Sequence, residues 1–449
     1  DKNGNLWQID NHNSIDQYMN TAISVQYNEL DLPKKISDSN WRETTLEYNL
    51  GGNLKDVSYP NGKGVHFVYD EINRVKEISY TNDITKWSFA YDENSNIKTI
   101  TKNDMQATSY DYDNLDRVIK VAHPPVNYIS NTMEYVYNPV GQILNVKNSI
   151  LPIADQLTRF EYDQAGNNVD IIAPNSTAAS FMYDEQWRLK KSYVAGTGMY
   201  FVSYRDYNEQ DRIIRLRTEN PSGDVVADYT YEYDVNGNRS KEINNLSGKR
   251  TEYVYDQINQ LLEESYYDTL QSQTPSRKHT YQYDLMGNIL QKAVQGGATT
   301  TYAYNNANEL THRNDAAVFS YDYNGNLIGS SPWVMVYNAQ NQLITINDGT
   351  NDIASYEYNG EGLRIRKVTQ AKIERYYYIG GRLTYITNDS NALKYYFTRD
   401  IRGKLLHMID YTSATPKTYF YIHDAHDNVI GMADSSGYRV ANYEYDAWG

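Results

Sequence analysis

Apolar and polar positions alternate along short stretches of this chain, and the alternation keeps being interrupted in the same way. Aromatic rings stand two residues apart, as at Phe89 and Tyr91 or Tyr253 and Tyr255. Two apart means one face of a strand. Asp or Asn follows the second ring, Gly comes three residues later, and a second alternating stretch begins, with Leu54, Val57, Val75, Ile78, Ile97 and Ile100 among its apolar members. The pattern predicts strand, tight turn, strand. Asp takes the first position of a type I turn, where its side chain caps the turn backbone. Gly supplies the left-handed conformation that closes the turn. Asn73 and Asp116 replace it in two copies and tolerate that conformation. Pro139 suits the second turn position. Trp187 stands where Gly belongs and breaks the rule.

Each repeat is therefore a β-hairpin. Counted on the Tyr before the turn, 17 anchors run from Tyr27 to Tyr377. Tyr27, Tyr48 and Tyr69 are 21 residues apart. The motif is carried by Tyr69 with Asp70, Tyr112 with Asp113, Tyr162 with Asp163 and Gly166, and Tyr233 with Asp234 and Gly237. It continues at Tyr283 with Asp284 and Gly287, Tyr321 with Asp322 and Gly325, Tyr358 with Gly362, and Tyr445 with Asp446 and Gly449. A fixed period of this length marks an array of supersecondary units. One hairpin is marginally stable and leaves open edges. Side-by-side pairing would give one antiparallel sheet of roughly 34 strands, where an open twisted sheet usually stops at about ten. Such a sheet must curl, and the expectation is all-β: a hollow spiral shell or barrel. The alternatives are a β-propeller or a β-solenoid. A propeller would need a radial break at every second copy, which the sequence lacks.

Composition narrows the function. The 46 Tyr, against 8 Phe, take over the role of an ordinary aliphatic core. A net charge of -15 makes nucleic acid an unfavourable partner and disfavours anionic membrane surfaces. The absence of Cys removes disulfides, thiolate metal sites and Cys nucleophiles. No apolar run reaches the roughly 20 residues of a membrane span. The chain starts mid-motif at Asp1 and reads as a piece of something longer.

The spacing Y-x-Y-D-x-x-G-N-L, repeated over nearly the whole chain, resembles the YD repeat of Rhs proteins, which teneurins and the C components of insecticidal toxin complexes share. The stretches YYFTRDIRGKLLHMID from Tyr395 and YFYIHDAHDNVIGMADSSGYRVANYEYDAWG from Tyr419 resemble the start of the Rhs-associated core. The resemblance implies a β-shell over residues 1–394 and a truncated core over 395–449. It implies a shell enclosing a C-terminal toxin, in a secreted or cell-surface bacterial protein. The paired Asp residues by which the family cleaves itself would lie beyond Gly449.

Candidate chemistry is thin. His423 and His426 flank Asp424 with a spacing that could serve a metal, or simply a strand turn. Asp234 to Asn238 and Asp1 to Asn5 resemble half of a calcium loop without the later Glu. The expectation is no catalytic, cofactor or metal site, and no enzymatic activity. The expected partner is the protein's own core and toxin domain. A carbohydrate-binding, adhesin-like module is the alternative, because rows of exposed aromatic rings stack on sugars. Packing of the same rings between strands is the plainer use.

Overall fold

The computed structural model describes residues 8–12, 19–103, 106–125, 131–152, 156–172, 178–196, 199–446 and 448. Gly449 and Asp1 to Asn5 lie outside the described residues. Those described form 41 strands and no helix. Twenty-eight strands, through Ala316–Ala317, make one sheet, and 13 strands from Phe319–Tyr321 onward make another. The pairing is antiparallel between sequence neighbours, as expected when tight turns join the strands.

The register explains the turn. Val68 faces Glu77, but Tyr69 faces Val75, so one extra residue enters the second strand. The same slip precedes Tyr162 and Tyr233. A type I turn followed by a left-handed residue produces this bulge. The turn Asp70–Asn73 closes through Asn73 N–H donating to the Asp70 carbonyl at 3.1 Å, and Asp70 N–H donates to the Arg74 carbonyl at 2.9 Å.

Two features depart from the anchor count. Tyr377 is not followed by this turn. It lies inside Ile373–Ile379, and the chain reverses at Gly380 and Gly381, with φ of 52° and 76°. Consecutive positive φ values define the two-residue hairpin loop that Gly-Gly favours. Conversely, Asp400–Gly403 and Asp424–Asp427 form the bulged turn without a preceding Tyr.

The chain divides into two compact units, each discontinuous in sequence: residues 1–110 with 281–373, and 111–280 with 374–449. Tyr395 lies within Leu393–Arg399, which pairs with Arg382–Asn388 and with Leu405–Asp410. In each unit later strands lie on earlier ones. In the first unit, Ala339 of a late turn enters the cluster of Val57, Val65, Tyr80, Trp87 and Ile100. Arg42 pairs with Glu309 at 2.8 Å, and Ser39 Oγ donates to the Asn306 carbonyl at 2.6 Å. In the second unit, Phe201 stacks on Phe420 at 4.8 Å, and Met133 joins Tyr377, Tyr385 and Ile409. Burial of these apolar faces supplies what an isolated hairpin lacks.

Candidate functional site

The repeated unit is the only constellation the sequence singles out many times, and the structure resolves how its atoms are used. The turn carboxylate comes first. Asp234 Oδ1 accepts from the backbone N–H of Asn236 and Asn238 at 2.9 and 2.8 Å, and Oδ2 accepts from Asn238 Nδ2 at 3.0 Å. Asp70, Asp113, Asp163, Asp284 and Asp322 accept the same two backbone bonds. Asn359 does so in the turn after Tyr358. The half-loop at Asp234 thus spends its carboxylate on its own turn, which accounts for the Asp and the Gly without an ion.

The closing residue follows. Gly166, Gly237, Gly287, Gly325 and Gly362 have φ of 88°, 93°, 84°, 82° and 81°. Asn73, Asp116 and Trp187 take 66°, 58° and 62° in the same role. The Trp187 turn is otherwise made the same way, with Asp184 Oδ1 accepting from Gln186 and Arg188. Gly237→Val should therefore cost about 1 kcal/mol or more, and Trp187→Gly should gain about 0.5–1 kcal/mol, both read from urea unfolding midpoints. Equal effects of opposite expectation at either site would contradict this account of the turn.

Tyr69, Tyr162, Tyr233, Tyr321 and Tyr358 are half-buried and Tyr445 is exposed, and their hydroxyls reach back to the preceding hairpin. Tyr69 Oη donates to the Leu54 carbonyl at 2.6 Å, Tyr162 to Ile143 at 2.9 Å and Tyr233 to Ile213 at 2.7 Å. Tyr321, Tyr358 and Tyr445 donate to the carbonyls of Leu310, Leu343 and Val429. Each bond ties the end of one hairpin to the start of the strand after the previous turn. Tyr112 and Tyr283 hold the same place before Asp113 and Asp284.

A third participant escapes a motif written as Tyr-Asp-Gly. In many copies the residue after the left-handed position is Arg or Asn, and there it clamps neighbouring turns, whereas Leu363 follows Gly362 and Gln142 follows Gly141. Arg74 Nε donates to Asp70 at 2.7 Å, and its guanidinium lies 4.3 Å over the Tyr91 ring of the next hairpin. Arg117 lies over Tyr137 and Arg188 over Tyr207, each at 4.7 Å. Where the residue is Asn, Nδ2 bridges instead: Asn238 reaches Asn259 at 2.7 Å and Asn326 reaches Asn341 at 2.8 Å. The signal was present as the recurring N of GN and the R of NRV, DRV and WRL.

The His-Asp segment folds as one more turn. Asp424 Oδ1 accepts from His426 and Asn428 N–H, His423 is buried, and His426 Nε2 lies 3.0 Å from Arg239 Nη2. Among the described residues no group of three His, Asp or Glu side chains is arranged to hold a metal.

The charges of the turn and staple set a pH response. Burial raises the pKa of Tyr69, Tyr162 and Tyr233, and raises Tyr80, Tyr396 and Tyr421 to about 12. A group whose folded pKa exceeds its unfolded value of about 10 contributes stability that is present below pH 10 and lost as pH rises through the folded value. Stability should therefore fall between about pH 10 and 12, with tyrosinate absorbance rising together with loss of the β-sheet signal. A gradual titration of the folded chain would contradict this. At the other end, the backbone bond from Arg74 holds Asp70 low, and the Asn238 side chain does so for Asp234. Their contribution is present above the ordinary Asp value and lost as pH falls through the folded one.

These features define a YD-repeat β-sheet protein. The teneurin YD-shell family model matches residues 8–131 and 238–449, and the chain belongs to that family. The tRNA nuclease WapA of Bacillus subtilis (strain 168) is 29% identical over 325 residues, 71% of this chain and 12% of that protein. Teneurin-3 of Danio rerio is 21% identical over 438 residues, 90% of this chain and 15% of that protein. The chain thus spans about an eighth of the length of these relatives. Among solved structures, a Photorhabdus luminescens Tc holotoxin pore matches with a TM-score of 0.77 at 17% identity, covering 96% of this chain and 24% of that one. A crystal structure of TcdB2-TccC3 matches with a TM-score of 0.77 at 17% identity, covering 96% and 25%. At these identities the likeness is one of fold, and the fold is the all-β YD shell.

Proposed function

We propose that this chain is a wall segment of a shell that encloses a toxic effector domain of the same secreted or cell-surface bacterial protein, and that it performs no chemistry itself. The observation that carries the reading is the commitment of the repeated residues. The hydroxyls of Tyr69, Tyr162 and Tyr233 and the carboxylates of Asp70, Asp163 and Asp234 are bound to backbone and to neighbouring turns, so the motif is spent on making a wall. The YD-shell match and the toxin-complex fold support it. The nuclease named for WapA is taken to reside in the large part of that protein that this chain does not match. Teneurin and toxin relatives support an extracellular or cell-surface setting. The partner is then the protein's own core and effector. The acidic wall repels nucleic acid and inserts in no membrane. Glycan binding is the weaker reading, because rings such as Tyr91 and Tyr137 already carry a guanidinium on one face.

The test is limited proteolysis of the whole polypeptide that contains this chain. The effector portion should resist protease in the intact protein and be digested once residues 1–449 are deleted. Equal digestion rates in the two forms would end the enclosure reading. The purified chain should also keep a single mass on prolonged incubation without added protease.

A further inference from the structure

In the second unit a cavity of about 30 Å³ lies between earlier strands, among them Leu189–Gly196 and Met199–Tyr207, and the later strands Leu405–Asp410 and Lys417–His423. Phe181, Leu216 and Phe420 make much of its wall apolar. The rest is polar and charged: Arg205, Lys404 and His423 line it together with Ser192 and the buried carboxylate of Asp400. Arg205 is 7% exposed. Among the described residues its side chain makes one long hydrogen bond, Nη1 to Ser192 Oγ at 3.4 Å, and no ion pair.

The neighbouring charges cancel without it. Lys404 pairs with Asp427, and Arg402 lies 3.7 Å from Asp400. Asp400 is further occupied by the backbone N–H groups of Arg402 and Lys404, both at 2.9 Å. His423 is buried with no partner at Nε2, and burial holds its ring neutral by lowering its pKa to about 3. Arg205, Lys404 and Arg402 thus face two carboxylates, Asp400 and Asp427, which attract Arg205 without pairing with it directly, and one buried positive charge is left in excess. A buried charge is strongly unfavourable unless it is paired.

We propose that this cavity is a binding site for a monatomic anion of chloride size, held by Arg205 and Lys404 with the Ser192 hydroxyl. Size selects the ligand. A water occupies about 10–15 Å³ measured this way, so the space takes one halide with little to spare and excludes phosphate, sulfate and sugars. A groove of about 350 Å³ lined by Arg399, Arg402 and Asp427 shares Lys404, Leu405 and His423 with the cavity and offers a cationic way in. The ion would neutralise Arg205 where later strands meet earlier ones.

The experiment follows thermal unfolding of the chain at constant ionic strength while sodium chloride replaces sodium gluconate, and collects anomalous diffraction from crystals soaked in sodium bromide. Chloride should raise the unfolding temperature saturably, by roughly 5 °C. Arg205→Gln, which removes the uncompensated charge and keeps a donor, should abolish that rise. A bromide peak should stand beside Arg205 and Lys404. If Arg205→Gln does not fold, the bromide map of the unaltered chain decides. A cavity that holds water and no bromide overturns the proposal, whatever the unfolding curves show.

Discussion

Tyr231→Ala should cost about 3–5 kcal/mol of folding stability, the range for removing a large buried ring from a core. Tyr231 is 2% exposed on Val225–Tyr233. Its ring stacks near Tyr229 at 6.4 Å and lies beneath the Arg239 guanidinium at 4.8 Å. Its hydroxyl accepts from Ala425 N–H at 3.2 Å, a contact between residues 194 apart in sequence. The residue thus belongs both to the repeat and to the seam where later strands cover earlier ones. Tyr231→Phe separates the two roles. It keeps the ring and leaves one backbone donor unsatisfied, for a cost of about 1–3 kcal/mol. Chemical denaturation of the two variants checks the pair. A loss below 1 kcal/mol for Tyr231→Ala would mean that the seam contributes little to folding.

Gly64→Ala should cost roughly 1–3 kcal/mol through overpacking. A Cβ at Gly64 would lie 2.6 Å from the Val57 carbonyl oxygen and 3.1 Å from Thr81 Oγ1. The first contact is with the backbone of the paired strand, where Ser58 faces Gly64, and it cannot be relieved by a rotamer change. A Gly in a strand marks such a close approach. Gly62 provides the control. It has φ of 76° and open space around the missing Cβ, so Gly62→Ala meets conformational strain and no clash. Hydrogen exchange of the Leu54–Ser58 and Gly64–Tyr69 pair should report loosening along the paired strands for Gly64→Ala and a smaller loosening centred on the turn for Gly62→Ala. The reverse pattern would contradict the assignment of the two glycines.

The hairpin was legible because its determinants are local. Asp, the left-handed residue and the flanking rings fall within a few positions of one another, and turn chemistry acts over that distance. The misplaced anchor at Tyr377 has a local cause as well: a run of three Tyr offers several equivalent choices, and Gly380-Gly381 decides the reversal two residues further on. The hydroxyl staple was not legible. Tyr69 reaches a carbonyl 15 residues back and Tyr233 one 20 residues back, and such partners depend on strand register and bulge. The seam was invisible altogether. Ala339 looks in sequence like any turn residue, yet it is 2% exposed because Val57 and Trp87 lie against it. Arg205 likewise reads as an ordinary strand cation until Ser192, Lys404 and His423 are seen around it.

The clamp from one turn to the next has a consequence for how such chains change over time. Arg74 engages its own Asp70 and, in the following hairpin, Tyr91, Asp92 and Ser95. A hairpin duplicated in place would arrive with its own carboxylate, staple and clamp, and would find on each side the same surface its parent found. Tandem duplication can therefore lengthen the run of turns by whole links, as in other nearest-neighbour repeat arrays, while the seam where later strands cover earlier ones still has to be re-matched. The copies are then free to drift apart in their intervening residues, which is how a lineage could resize its wall faster than it could redesign a closed core.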